Sequence, residues 1–259
     1  MNKINFGLVT GAAGLLGFEH CKTILDSGLG LVMIDINKKE LLKKYKLLTN
    51  KYKTQTIKIF KIDIVSETQI KKLISKLNRG KIFVRVLINN ACIDPKPKTI
   101  NNNNKIIKTW DKELNVGLKG AYLFTELFSQ KMKKKKDGCI INMASDLSII
   151  APNQNIYKGV YKNFIKPVTY SVIKHGIIGM TKYYAVNLAK YKITCNAISP
   201  VGIYDNQSKK FVRNLTNLIP MKRMAKKDDI NYLVKFLINK NQKFITGQNI
   251  VIDGGRTIL

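Results

Sequence analysis

Seven short apolar runs are spaced along the chain with helix-patterned stretches between them, and this alternation restricts the fold more than any other feature. Phe6 to Val9, Leu31 to Ile34, Ile57 to Phe60, Val84 to Ile88, Cys139 to Met143, Ile193 to Ile198 and Asn249 to Ile252 read as strands. Candidate helices lie at about 15–27, 38–52, 67–78, 111–134, 168–190 and 228–238. The order predicts an α/β fold: a Rossmann-type, doubly wound, seven-stranded parallel sheet with helices on both faces. No Gly-, Ser- or Pro-rich linker and no repeat divides residues 1–259, so a single domain is expected. The run Asn101-Asn102-Asn103-Asn104 reads as a loop tip, or alternatively as low-complexity disorder.

In 259 residues, 45% hydrophobic content suffices for a sizeable core. Runs such as Ile140-Ile141 and Ile149-Ile150-Ala151 stop far short of the roughly 20 apolar residues that span a bilayer, and no secretory-type apolar core follows Lys3. A cytoplasmic protein without a membrane partner is expected. Cys21, Cys92, Cys139 and Cys195 are far apart, with no Cys-x-x-Cys and only two histidines in the chain, so free buried thiols are expected and no metal site. The charge is unusual: 46 Lys and Arg against 16 Asp and Glu leave +30. The excess is lysine, crowded together with Asn and Ile as coding bias would give, whereas base readout favours the arginine fork. The cluster Lys131-Met132-Lys133-Lys134-Lys135-Lys136 has no interleaved aromatics for stacking on single strands. It reads as a solvated helix end, and no specific nucleic-acid partner is expected.

Thr10-Gly11-Ala12-Ala13-Gly14-Leu15-Leu16-Gly17 directly follows the first strand and opens a helix. Glycines allow a tight turn and a close approach to a pyrophosphate, and the free N–H groups of the helix start favour an anion. Asp35 ends the second strand, where a carboxylate can accept the ribose hydroxyls of an adenosine and repel a 2′-phosphate, so NAD is expected over NADP. The alternative is that Asp35 caps the helix beginning near Asn37. Tyr170 and Lys174 are four residues apart and share a helix face. A cation beside a phenol lowers its pKa toward working pH, as proton transfer to a carbonyl requires. Ser145, just past the fifth strand, can hydrogen-bond the same oxygen.

Taken together, the Gly-rich turn, Asp63, Asn89-Asn90-Ala91, Ser145, Tyr170-x-x-x-Lys174, Ser199-Pro200 and Ile245-Thr246-Gly247-Gln248 resemble the short-chain dehydrogenase/reductase family, in order and over almost the whole chain. The resemblance implies a nicotinamide cofactor and hydride transfer, with Tyr170 moving the proton, Lys174 lowering its pKa and holding the nicotinamide ribose, and Ser145 orienting the reacting oxygen. It implies cofactor contacts at Gly11, Gly14, Leu16, Gly17, Asp35, Asp63, Ile64, Asn89, Ala91, Tyr170, Lys174 and Ile203. Family members also imply a homodimer or homotetramer, and the long helices at 111–134 and 168–190 carry apolar stripes that suit either core or such an interface.

This chain departs from the family pattern in several places. The spacing Gly11-x-x-Gly14-x-x-Gly17 is that of the longer nucleotide-sugar branch, whereas the length and the Ile-Thr-Gly-Gln ending are those of the single-domain branch. Gly117 stands where many members carry a catalytic asparagine; Asn115 lies on another helix face. Val201 replaces the glycine that usually follows Ser-Pro. The segment between Ser145 and Tyr170 is longer than usual, making a loop at about 146–169 with Lys158, Lys162 and Lys166 and the tyrosines Tyr157 and Tyr161. Tyr157 competes with Tyr170 on spacing from Ser145, but has Tyr161 rather than lysine four residues on. Cations and amphipathic rings suit a phosphorylated or carboxylated sugar, with an ordinary solvated loop as the alternative. The loop with Asn115-Val116-Gly117 also resembles proteins of bacterial surface-sugar pathways, including those for sialic-acid-like sugars. A second loop, at about 203–229, lies where the family places a substrate lid, and its Arg223 suits either an anion or the helix surface. His20 is expected on the flank of its helix and His175 facing away from the phenol, neither in a chemical role.

The function these features predict is an NAD-dependent oxidoreductase acting on a secondary alcohol or ketone of a small molecule, an anionic sugar among the candidates. The alternatives are a catalytically impaired nucleotide-binding regulator on the same fold, a 3-oxoacyl-thioester reductase, and nucleic-acid binding driven by the charge.

Overall fold

The computed structural model of the protein describes residues 5–94, 103–162 and 164–259. Among them, β1 (Asn5–Thr10), β2 (Gly30–Asp35), β3 (Ile57–Lys61), β4 (Phe83–Asn89), β5 (Gly138–Met143), β6 (Ile193–Pro200) and β7 (Asn249–Ile252) form one sheet in the order β3-β2-β1-β4-β5-β6-β7. Every pairing is parallel. Leu31 to Ile34 in β2 and Leu87, Ile88, Ile140 and Ile141 in β4 and β5 expose no surface, as parallel strands covered on both faces must. The strand order reverses between β2-β1 and β4, which opens a crevice at the carboxyl ends of β1 and β4.

The helices are α1 (Leu15–Asp26), α2 (Lys38–Lys51), α3 (Glu67–Arg79), α4 (Asn103–Leu114), α5 (Gly120–Lys135), α6 (Val168–Ala189), α7 (Lys209–Thr216) and α8 (Lys227–Leu237). Two apolar layers divide them. Leu8, Val32, Leu87 and Ile140 pack with Leu73 of α3, Phe124 of α5 and Tyr184 of α6. On the opposite face Val9, Leu31, Met33 and Ile141 pack with Ile24 of α1, Leu41 of α2 and Val234 of α8. Local chemistry sets several helix starts: the Asn37 side chain accepts from Glu40 N–H and that of Ser66 from Gln69 N–H. In α3 the inward face is Ile70, Leu73 and Leu77, at helical spacing. No described helix is long and apolar enough to cross a membrane.

Three differences from the sequence expectations have local causes. The helix expected at 111–134 begins at Asn103 and runs through a π-helical turn (Asn115–Lys119) between α4 and α5. Asn103 and Asn104 are therefore helical rather than a loop tip, while Met1 to Ile4, Asn101, Asn102 and Asn163 lie outside the described residues. The loop at 203–229 contains α7, whose apolar side is only Phe211, Val212 and Leu215 among basic and polar residues. The third difference is His20, which is fully buried rather than on a helix flank, with neither ring nitrogen partnered among the described residues.

Burial lowers the His20 pKa from 6.5 to about 4. Between these values the unfolded chain takes up a proton that the folded chain refuses, so stability is full above pH 6.5 and falls as the pH drops toward 4. The loss should reach about 3 kcal/mol. Urea unfolding of the wild type and of His20→Leu across this range checks it: the substitution is expected to flatten the slope, and parallel pH profiles would refute the assignment.

Candidate active site

All the predicted site residues lie at or beyond the carboxyl ends of the strands or on the helix beside them. At the switch point, Gly11 adopts φ +64°, a conformation that favours glycine, and a Cβ on it would meet Ala91 Cα at 2.9 Å. A Cβ on Gly17 would lie 2.0 Å from the Gly11 carbonyl oxygen, which no side chain can do. The turn is fastened to β4 by two residues. Asn90 Nδ2 donates to the carbonyls of Thr10 (3.0 Å) and Gly11 (3.2 Å), and Thr10 Oγ1 accepts from the N–H groups of Asn90 (3.0 Å) and Ala91 (3.1 Å). The N-cap of α1 is Gly14, no side chain caps the helix, and its first turn carries no acidic residue. Its free N–H groups therefore face the crevice as a ready site for an anion.

Asp35 Oδ2 accepts from Ala13 N–H (3.0 Å) and Oδ1 from Asn37 N–H (2.9 Å). The cap of α2 is Asn37, so the capping alternative for Asp35 is not what is found; its carboxylate instead ties the Gly-rich turn to the end of β2. Asp63 follows β3 and accepts from Val65 N–H (3.1 Å), and Ile64 is buried against α5 at Gly120. Leu16 is half-buried against the α1-side core. Ile203 forms a parallel bridge with Ala225. Asn89 ends β4 and is buried. Its side chain lies within the sheet–helix interface, donating to Thr125 (2.9 Å) and Asn142 (2.8 Å), while Asn142 donates to Thr181 (2.9 Å).

Beyond β5 the second half of the site is assembled. Ser145 draws the Tyr170 phenol pKa down, and Lys174 Nζ donates to Met143 O (2.8 Å) at 5.5 Å from the Tyr170 ring centroid. Ser145 Oγ donates to Asp146 Oδ1 (2.8 Å), and the buried Asp146 carboxylate is paired with Arg256. Burial pushes the Asp146 pKa up while Arg256 pulls it down. Sequence reading missed both Asn90 and this Asp146–Arg256 pair. The available signal was one of the chain's five arginines near Gly254-Gly255, since a guanidinium in a lysine-rich chain suits a buried pair.

The Tyr170 phenol is held well above the ordinary tyrosine range, first by burial, then by Asp94 and Cys92, with Ser145 acting against them. The expected lowering by Lys174 does not prevail here, because burial disfavours the phenolate. Tyr157, the rival on spacing, packs edge-on to Phe164 and stacked on Phe211 in the loop–α7 cluster. Of the three loop lysines, Lys158 and Lys162 are exposed, whereas Lys166 is buried and paired with Asp94. Arg223 makes a bidentate pair with Asp229 (2.6 and 3.0 Å), the helix-surface role. Gly117 is buried against Ile173, which a Cβ would meet at 2.7 Å, so any side chain there requires Ile173 to shift. Val201 is buried among Ile156, Leu215, Ile219 and Met224. His175 is exposed, its Nδ1 bonded to Ser171 O. Cys21, Cys139 and Cys195 are buried free thiols and Cys92 is half-buried. No metal-binding cluster occurs among the described residues.

The family model described as enoyl-(acyl carrier protein) reductase matches residues 11–257. The chain belongs to the short-chain dehydrogenase/reductase family, whose members are oxidoreductases that use nicotinamide cofactors. It is 29% identical to an NAD-dependent glycerol dehydrogenase of Listeria innocua over 97% of this chain and 93% of that one. Identity is also 29% to a 3-oxoacyl-[acyl-carrier-protein] reductase of Thermotoga maritima, over 97% of both chains, and to post-translational flagellin modification protein A of Campylobacter coli, over 98% of both. Among solved structures, a short-chain dehydrogenase of Leptospira borgpetersenii with bound NAD+ superimposes with a TM-score of 0.83, at 29% identity, over 99% of this chain and 94% of that one.

The Gly11–Gly17 contact yields a direct test. Gly17→Ala should cost about 1–3 kcal/mol of overpacking and abolish stabilisation by added dinucleotide. Thermal unfolding with and without NADH checks both, and a variant that matches the wild type in midpoint and in ligand shift would remove the cradle from consideration.

Proposed function

We propose that the protein is an NAD-dependent dehydrogenase/reductase that moves a hydride between nicotinamide and a secondary alcohol or ketone of a sugar or sugar derivative. The observation that carries this reading is that the Ser145–Tyr170–Lys174 group and the uncapped Gly-rich turn lie along the same edge of one sheet. The cradle that a Cβ would fill and the free N–H groups of α1 fit a dinucleotide pyrophosphate at Gly11, Gly14, Leu16 and Gly17. Asp35 would accept the adenosine ribose hydroxyls with its remaining lone pairs and repel a 2′-phosphate. Asp63 and Ile64 would flank the adenine, Asn89 and Ala91 the floor through their backbone, and Ile203 the nicotinamide amide. When bound, the nicotinamide gives or takes the hydride.

The chain's own groups handle the substrate oxygen and its proton. A phenol held above the ordinary range carries its proton at neutral pH, which suits Tyr170 Oη as donor to a ketone oxygen. Ser145 Oγ would share that oxygen and keep it in line, held by Asp146 and Arg256. Lys174 would hold the nicotinamide ribose and favour the phenolate as the proton leaves. The loops at 146–169 and 203–229 border this site and would select the substrate in a single 1–259 domain. The NAD-dependent glycerol dehydrogenase relative, which acts on a polyol, supports the sugar class; the 3-oxoacyl-[acyl-carrier-protein] reductase relative favours a thioester reductase as the second reading.

Thermal unfolding with NADH or NADPH tests the cofactor assignment. At a hundredfold excess over Kd, NADH should add about 2.7 kcal/mol of stability, several degrees in midpoint, and Asp35→Ala should erase the preference over NADPH. On any substrate found, Tyr170→Phe should lower turnover at least a hundredfold; substantial residual activity would end the assignment.

Self-association as a homodimer or homotetramer is part of the same proposal. The outer face of α6 exposes Val168, Val172, Tyr183 and Val186, and a Cβ on Gly179 among them meets nothing within 4 Å. Such a stripe with a small residue at its centre admits a facing helix closely. Light scattering should show Tyr183→Glu/Val186→Glu at a lower mass than the wild type with NADH stabilisation retained, and equal masses would locate the contact elsewhere.

A further inference from the structure

The added loop does more than border the site: it places a second ammonium on Tyr170. Lys166 is buried, with 9% of its side chain accessible, and its Nζ lies 3.8 Å above the centroid of the Tyr170 ring. Helical periodicity does not bring it there. Pro167 is the N-cap of α6 and Lys166 precedes it, so its place is set by the loop. The Gln154 side chain grips the Lys166 backbone on both sides, accepting from its N–H (2.9 Å) and donating to its carbonyl (3.2 Å). Gln154 itself begins the 3₁₀ turn Gln154–Tyr157, whose Tyr157 is fixed between Phe164 and Phe211. A folded aromatic loop thus aims one lysine inward and leaves Lys158 and Lys162 in solvent.

The groups facing Tyr170 come from four directions. Lys174 lies on the same helix, 5.5 Å from the ring centroid. Lys166 covers the ring from the preceding segment. Cys92 and Asp94 approach from beyond β4, and Ser145 with Asp146 from beyond β5, the latter balanced by Arg256. Asp94 pairs with Lys166, yet its side chain is 60% accessible. The cation is therefore the dry member of the pair and the anion the wet one, and a dry charge acts more strongly at close range. A cation over a ring face interacts more favourably as the ring gains negative charge.

We propose that Lys166 is a positioning residue for Tyr170, a second cation that holds the ring in place and supports its negative charge as the proton leaves, with Asp94 as the opposing charge that limits the effect. This rests on the reading of Tyr170 as the proton-transfer residue. It assigns a function to the length of the loop: the extra segment folds back so that a side chain outside the helix complements Lys174 inside it. Asp94 then links the loop to the end of β4.

The test reads the phenol itself and requires neither substrate nor cofactor. Protein labelled with 3,5-difluorotyrosine, whose phenol ionises near neutrality, is titrated by 19F NMR, and the Tyr170 resonance is assigned by its absence in Tyr170→Phe. Lys166→Met, close in shape but uncharged, should raise the Tyr170 midpoint by about one unit, a tenfold change in ionisation constant. Asp94→Asn, at an exposed position, should lower it, and Lys166→Arg should hold it near the wild-type value. Opposite shifts from Lys166→Met and Asp94→Asn support the proposal. An unmoved midpoint in Lys166→Met, or shifts of the same sign in both, would overturn it. Tyr170→Phe retaining turnover would instead defeat the underlying reading while leaving the titration result intact, so the two failures are distinguishable.

Discussion

The carbonyl oxygen of Gly11 occupies the place where any side chain on Gly17 would begin, and the geometry of the crevice follows from that contact. With no side chain between them, the turn after β1 folds flat onto the first turn of α1, and the N–H groups of that turn stay uncovered. Thr10 and Asn90 then bolt the turn to β4, so the two halves of the sheet meet at a fixed distance. Asp35 pins the far side through Ala13. Positioning by several short bonds between strand ends gives a rigid floor, and a floor of that kind is what allows loops of variable length to be set around it.

The fold was readable because its signals are local and repeated. Continuous apolar runs such as Leu31 to Ile34 have few alternatives to buried parallel strands, and each is followed by a helix pattern. The Gly-rich turn, Ser145, Tyr170 and Lys174 were readable because each occupies a definable point at a strand end or on one helix face. What escaped was non-local. Nothing near Asn90 in the sequence indicates that its amide reaches across to Gly11, and nothing near Asp146 announces Arg256, 110 residues further along. The side chain of Asn89 shows the same limit: a polar residue at a strand end can face the crevice or the helix layer, and Thr125 and Asn142 decide it. The full burial of His20 is of the same kind, because helical spacing alone does not reveal which other elements cover a given side of α1.

The net charge of +30 is a property of the surface and not of the surroundings of Tyr170. Close to Tyr170 the charges occur as compensated pairs, Lys166 with Asp94 and Arg256 with Asp146, beside Lys174. Composition thus carries little information about the site, and the lysine-rich surface acts on it at most through a screened field. On the proposed function, selectivity falls instead to the two loops, where the aromatic cluster of Tyr157, Tyr161, Phe164 and Phe211 gives the 146–169 loop a core of its own.

The pairing of Asp146 with Arg256 also bears on how the molecule is made. During synthesis the segment after β5 that carries Ser145 leaves the ribosome long before Arg256 does, and until then Asp146 has no counter-charge in a place that is to become dry. The shelf beneath the phenol cannot close while the chain is still growing. The Gly-rich floor, built from residues near the start, can form early, whereas the half around Ser145 and Tyr170 waits for the last strand and the turn beyond it. On the proposed function, a nascent chain would therefore acquire its nucleotide floor before its chemistry, and a chain stalled short of Arg256 would be a binder without a finished reaction centre.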